Sequence, residues 1–167
     1  MSGQAGLFAA VFVTLYAAHH VGDYWVQTDH QARHKGDAGW SGRAACLKHV
    51  LTYVWTQAVM LGLLSAVLDI PITWGVHAGL LISGVTHYLA DRREHGVMFK
   101  LARRLPGKAA FLELGRPRTG WIWNQAGNET IAPRDDNPQL ATGAWALDQA
   151  WHIFWGVFVA ALLVVAL

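Results

Sequence analysis

Residues Ala5–Gln27 read AGLFAAVFVTLYAAHHVGDYWVQ, and the fold turns on them. As far as Ala18 the stretch is free of charge, as a segment inside hydrocarbon must be; His19, His20, Asp23 and Gln27 then continue the same helical pattern. About 20 residues at 1.5 Å per residue cross roughly 30 Å of hydrocarbon. A signal peptide would carry a basic region ahead of its apolar run, and none precedes this one, so an uncleaved membrane span is expected over about 5–27.

Three further stretches match it, at about 44–68, 71–91 and 144–167, the third span opening with Pro71 in a first turn where a missing N–H costs nothing. Only 14% of the chain is charged, against about a quarter in soluble domains, so a solvated surface cannot be built. Nine Trp point the same way, because an indole is apolar with one polar N–H and favours the membrane–water interface. The lone Cys46 excludes an internal disulfide and an all-thiolate metal site. The expected fold is all-α: one membrane domain over 1–167, a four-helix bundle.

Charge placement predicts the orientation. Arg33, Lys35, Arg43 and Lys48 lie between or beside the first two spans, and the other nine basic residues, Arg92 to Arg134, lie between the third and fourth. The opening MSGQ, the turn at Asp69 and the last span's end carry none. By the positive-inside rule the basic side is cytoplasmic and both termini are outside.

The short Asp69–Pro71 turn predicts an antiparallel pair of helices. Beyond the third span, an insert over about 92–143 begins with VMFKLARRL, which puts Val97, Met98, Leu101 and Leu105 on one helical face and Lys100, Arg103 and Arg104 opposite. That pattern suits a basic amphipathic helix on the inner leaflet, or a cap packed on the bundle. The long loop 106–143 is rich in Gly, Pro and Asn, with a short hairpin expected in Trp121–Ala132 around Gly127–Asn128.

The chemistry lies in the spans. His19 and Asp23 are four residues apart, as are His87 and Asp91, and Asp148 and His152; Gln27 is four beyond Asp23. Each pair therefore projects from one helical face, one turn apart. His49 opens the second span, and His20, three before Asp23, can replace or assist His19. On the expected topology all of these fall at the cytoplasmic ends of the four helices. An ionised Asp within a span costs several kcal/mol, of order 3, unless paired, solvated or metal-bound. Imidazole and carboxylate together suit Zn²⁺ first, and Fe²⁺ or Mn²⁺ as alternatives, as one ion or two. The expected ligands are His19, Asp23, His49, His87, Asp91, Asp148 and His152, with an Asp one turn from a ligating His also able to orient its ring. His77 and His95 are expected to be structural. Trp25, Trp40, Trp74, Trp145 and Trp151 are expected to anchor the interface, and Gly75, Gly79 and Gly84 to permit close helix packing.

The run His19-His20-Val21-Gly22-Asp23-Tyr24-Trp25-Val26-Gln27-Thr28-Asp29 resembles the opening motif, of the form H-x-x-G/A-D-F-x-L-Q, of a bacterial and phage membrane family known as domain of unknown function 3307. Leu47-Lys48-His49, His87-Tyr88-Leu89-Ala90-Asp91 and Leu147-Asp148-Gln149-Ala150-Trp151-His152 resemble it too, in the same order. The resemblance implies membrane residence and a polar site. It favours His19 over His20 as partner of Asp23, and singles out Gln27, Lys35 and Gln149. No activity comes with it.

The leading functional expectation is a metal-dependent hydrolase whose bound ion activates a water, with Asp23, Asp91 or Asp148 as general base. A site at the inner-leaflet boundary suggests a lipid-like substrate, with Lys48, Arg92 and Arg93 able to hold an anionic headgroup. Membrane lipids are the expected partners, and nucleic acid is not. The alternative is a non-enzymatic metal or proton binding or transport protein, for which Thr14, Tyr16, Thr56, Gln57, His77 and Ser83 give a sparse polar trail. A small phage-type effector acting by oligomerisation comes third, since it leaves the His and Asp residues without a role.

Overall fold

The computed structural model describes residues 2–114, 118–123, 129–134 and 143–167. The chain forms two compact units, Met1–Lys100 with Ala150–Leu167, and Leu101–Gln149. Its long elements are all helical.

In the first unit, helix α1 (Ser2–Val21) continues as a π-helical turn, Gly22–Val26. A short helix α2 (Asp29–His34) comes next, started by Thr28. The Thr28 hydroxyl accepts from the Gln31 N–H at 3.3 Å while the Gln31 side chain accepts from the Thr28 N–H at 2.8 Å, a reciprocal cap. The polar segment between the first two spans is thus partly helical. Helix α3 (Gly39–Leu68) starts five residues ahead of the apolar run, and stops at Asp69 in a left-handed conformation (φ 53°). Helix α4 (Trp74–Asp91) starts three residues beyond Pro71, because the Thr73 hydroxyl accepts from the Gly75 N–H and supplies the cap that Pro71 lacks. The last helix runs from α7 (Gly143–Trp151), whose first seven residues belong to the second unit, through a π-helical stretch, His152–Val159, into α8 (Ala160–Ala166).

Among the described residues, three helices are long and apolar enough to cross a membrane: Gly3–Val26, Gly39–Leu68 and Gly143–Ala166. Helix α4 is shorter, 18 residues, and carries Ser83, Thr86, His87 and Asp91 as buried polar side chains. Within the first unit α1 packs on α3, α3 on α4, α4 on the π stretch and α8, and these on α1. Val11, Leu15, Leu61, Val157, Ala160, Ala161 and Val164 form the shared apolar core. Close approach of α4 and α8 rests on Gly75 and Gly79: a Cβ would lie 2.5 Å from the Leu163 carbonyl at the first and 2.9 Å from the Ala160 carbonyl at the second. That agrees with the small-residue spacing read in the sequence. Trp25, Trp40 and Trp74 are more than 80% exposed, whereas Trp151 is half-buried and its indole donates to the Thr86 carbonyl at 3.0 Å, tying two helices together.

Helix α5 (Val97–Arg104) is amphipathic in a different phase from the expected one. Met98 is buried with Phe99 and Ala102, while Val97, Leu101 and Leu105 are 42–57% exposed. The i, i+4, i+8 stripe therefore faces outward, because Phe99 takes the buried side.

The second unit contains a five-residue helix α6 (Lys108–Leu112) and an antiparallel hairpin, β1 (Arg118–Trp123) with β2 (Glu129–Arg134), in the register Trp121 opposite Ile131. The expected hairpin is present and longer than Trp121–Ala132; its turn, Gly127–Asn128, lies outside the described residues.

Candidate functional site

Five elements bring polar side chains to one place. His19 comes from α1, Asp23 from the π turn at its end, His49 from α3, His87 and Asp91 from α4, and His152 from the start of the π stretch. All four imidazoles are at most 1% exposed and Asp91 is 2% exposed, so bulk water solvates none of them.

The atoms converge tightly. His49 Nε2 and His87 Nε2 are 3.0 Å apart. Asp91 Oδ2 is 3.1 Å from each of them. Asp23 Oδ1 is 3.3 Å from His49 Nε2 and 3.4 Å from His87 Nε2. The far oxygens face other groups. Asp23 Oδ2 is 3.5 Å from His19 Nδ1, while Asp91 Oδ1 is 2.9 Å from Lys35 Nζ and 3.7 Å from His152 Nε2. His152 stacks on His87 with ring centroids 4.0 Å apart and fixes that ring's plane. Two groups of three within this set, His19–Asp23–His87 and His49–His87–Asp91, offer ligand atoms all within 4.8 Å of one another and can hold a metal ion.

The structure separates His19 from His20. His19 is fully buried against Asp23, while the His20 ring, its centroid 5.2 Å from that of His19, packs edge-on against Tyr16 and beside Tyr24. Gln27, with its amide turned to suit its neighbours, donates to the Asp23 carbonyl and accepts from Lys35 Nζ at 2.9 Å. Lys48 is exposed, although His49 beside it is buried. Asp148 and Gln149 are half-buried at the end of the second unit, with Asp148 four residues ahead of His152 in the sequence. Arg92 and Arg93 are engaged with the chain itself. Arg92 donates to the Lys35 and Asp37 carbonyls at 2.7 and 2.6 Å, and Arg93 to the Ala32 carbonyl at 3.2 Å. Their guanidinium groups hold the α2 segment across the end of α4 and so deliver Lys35 to Asp91.

Two participants escape the spacing argument. Lys35 belongs to a loop in the sequence and reaches Asp91 only because α2 folds back. Tyr53 is fully buried, with its ring centroid 3.9 Å from that of His87, and its hydroxyl accepts from Gln57 at 3.0 Å. The available signal was His49, Tyr53 and Gln57 at i, i+4 and i+8 on one face of α3.

The family described as "protein of unknown function (DUF3307)" matches residues 11–167, nearly the whole chain. The chain belongs to this family. No curated protein and no solved structure matches it. In this DUF3307 protein the opening motif supplies His19, Asp23 and Gln27, and the later motif pieces supply His49, His87, Asp91 and His152. The family resemblance and the convergence of side chains thus select overlapping residues.

Proposed function

We propose that this DUF3307 protein is a four-span membrane protein that holds a divalent transition metal, Zn²⁺ first, between His49, His87, Asp23 and Asp91 at the cytoplasmic end of its bundle. The observation that carries this is a set of distances. Five separations among His49 Nε2, His87 Nε2, Asp23 Oδ1 and Asp91 Oδ2 lie between 3.0 and 3.4 Å. A tetrahedral ion with bonds of about 2.0–2.1 Å has ligands about 3.3 Å apart. Hydrogen bonds alone explain the set poorly, because one proton on His49 Nε2 faces three acceptors at once. Charge supports the same reading: two buried carboxylates meet one ammonium, Lys35, and a cation is wanted between them. His19 and His152 then orient the two carboxylates and the His87 ring from behind, as partners of metal ligands commonly do.

Four protein donors leave no open position, which favours a binding or transport station. Tyr53, Gln57 and Ser83 continue the polar trail beyond His87: Gln57 Nε2 is 3.0 Å from the Tyr53 hydroxyl and Ser83 Oγ 3.5 Å from it. Hydrolysis is the second reading, and one observation favours it. Asp23 is the more exposed carboxylate, 8% against 2%, and its oxygen has the longer separations. An Asp23 that swings aside would open a position for water and serve as its base, while the ion lowers that water's pKa. The substrate would then be a lipid-like ester or phosphoester at the inner leaflet.

Metal content per chain, measured after tag-free purification in mild detergent, tests the proposal. About one equivalent is expected in the wild type and in His20→Ala, and less than a tenth in His87→Ala. If His87→Ala keeps its metal, or the wild type binds none after Zn²⁺, Fe²⁺ and Mn²⁺ have been offered, the centre is a proton-holding network. Ester or phosphoester turnover lost in Asp23→Asn with metal retained would move the reading to the hydrolase.

A further inference from the structure

We infer that the outer face of α3 and α4 carries a binding site for one anionic phospholipid, separate from the metal centre. Two recesses of the first unit meet there. One, of about 740 Å³, lies between the start of α3, the end of α4 and the start of α5, and is lined by Trp40, Arg43, Arg92, His95 and Lys100 among others. The other, of about 480 Å³, is an apolar groove between α3 and α4 lined by Val50, Leu51, Val54, Leu81 and Val85 among others. Leu47, Tyr88 and Leu89 line both, so one ligand can occupy the two together.

The chemistry of the two ends identifies the occupant. Among the described residues, the lining of the first recess has three permanent cations and no carboxylate. Arg92 is committed to the Lys35 and Asp37 carbonyls, whereas Arg43 and Lys100 are exposed. The Arg43 guanidinium lies 5.2 Å above the Trp40 ring, which holds it at the rim. Such a rim binds a phosphate. The second recess offers no charge at all, and Leu51 and Leu81 stand 61% and 69% exposed along it. From Leu47 to Val54 the groove runs along α3 for about 10 Å, enough for part of an acyl chain. A soluble phosphate ester would leave the groove empty, and a zwitterionic lipid would leave the cations half-answered. The cationic end also coincides with the basic, inner-leaflet side of the chain, where anionic lipid headgroups lie. The inference rests on the membrane placement proposed above and not on the metal, so loss of metal and loss of lipid are separate failures.

Native mass spectrometry of the full chain in detergent, titrated with phosphatidylglycerol or phosphatidylcholine of matched acyl chains, tests it. The wild type is expected to bind one phosphatidylglycerol at least about fivefold more tightly than phosphatidylcholine. Arg43→Ala/Lys100→Ala should bring the two lipids to near parity, and Leu81→Trp should weaken both by filling the groove. Glycerol phosphate should bind far more weakly than the lipid. Equal affinities in the wild type, or an unchanged preference in the double variant, overturn the proposal; glycerol phosphate binding as tightly as the lipid makes the site one for soluble esters. Wild-type protein alone gives a second test that needs no variant. A phosphatidylglycerol with a photoreactive acyl chain should label residues 47–54 or 80–89, and label confined to α1 or α8 would rule the site out.

Discussion

Asp91 turns one oxygen to two imidazoles and the other to Lys35, and that division makes it the pivot of the cluster. With Oδ1 2.9 Å from Lys35 Nζ, the carboxylate cannot rotate without losing a charge-assisted hydrogen bond. Lys35→Met keeps the stem's bulk and removes that hold. Metal affinity, read by competition with a chelating dye, should fall about 10- to 100-fold, as for other partners that orient a ligand. An unchanged affinity would mean that Lys35 serves only to seat α2. The sequence allows part of this to be foreseen. His19–Asp23 and His87–Asp91 come from four-residue spacing on a helix, and His49 from its place at the start of a span. Lys35 is singled out by the family resemblance alone and has no spacing signal, because 56 positions separate it from Asp91 and only the folded α2 segment, pinned by Arg92 and Arg93, closes that distance.

At the scale of helices, both π-helical stretches adjoin the site: Gly22–Val26 contains Asp23, and His152–Val159 begins with His152. A π turn adds a residue to the helical turn and re-aims the side chains beyond it, and such insertions gather where side chains must converge. No residue pattern announces them, so spacing rules that assume 3.6 residues per turn hold for His87–Asp91 within regular α4 and lose their footing past Gly22. Helix starts were legible only to within a few residues, since Thr73 and not Pro71 caps α4. The contact between α4 and α8 was readable, because Gly75 and Gly79 share a face. Gly79→Leu should separate these helices and lower stability by about 1–3 kcal/mol, the usual cost of forcing bulk into a packed contact. Gly62→Ala, where a Cβ would meet nothing within 4 Å, should be neutral or raise stability by about 0.5–1 kcal/mol. Thermal unfolding in one detergent compares the two directly. A tolerated Gly79→Leu would show that α4 and α8 are not in close register.

For the molecule as a whole, the open step is whether α4 crosses the bilayer. Its 18 residues span about 27 Å, a little under the hydrocarbon thickness, and its polar side chains leave it less apolar than the other three long helices. Those polar groups face α1, α3 and the π stretch, so lipid need not solvate them, and hydropathy understates the helix for that reason. Charge gives an independent ground for crossing. If α4 turned back, the Lys and Arg residues beyond it would lie on the side opposite Arg33, Lys35, Arg43 and Lys48, against the positive-inside rule. Cysteine labelling decides between the two. Cys46 is fully buried and can be replaced by Ala to clear the background. In that background Ile72→Cys, ahead of α4, should react with a membrane-impermeant maleimide from outside intact cells. Ala109→Cys, beyond α5, should react only once the membrane is opened; it alters no charge and leaves the orientation signal intact. Labelling of both from one side would leave three spans, an odd number. The two termini would then lie on opposite faces, and the metal centre would need α4 to enter and leave the bilayer by the same surface.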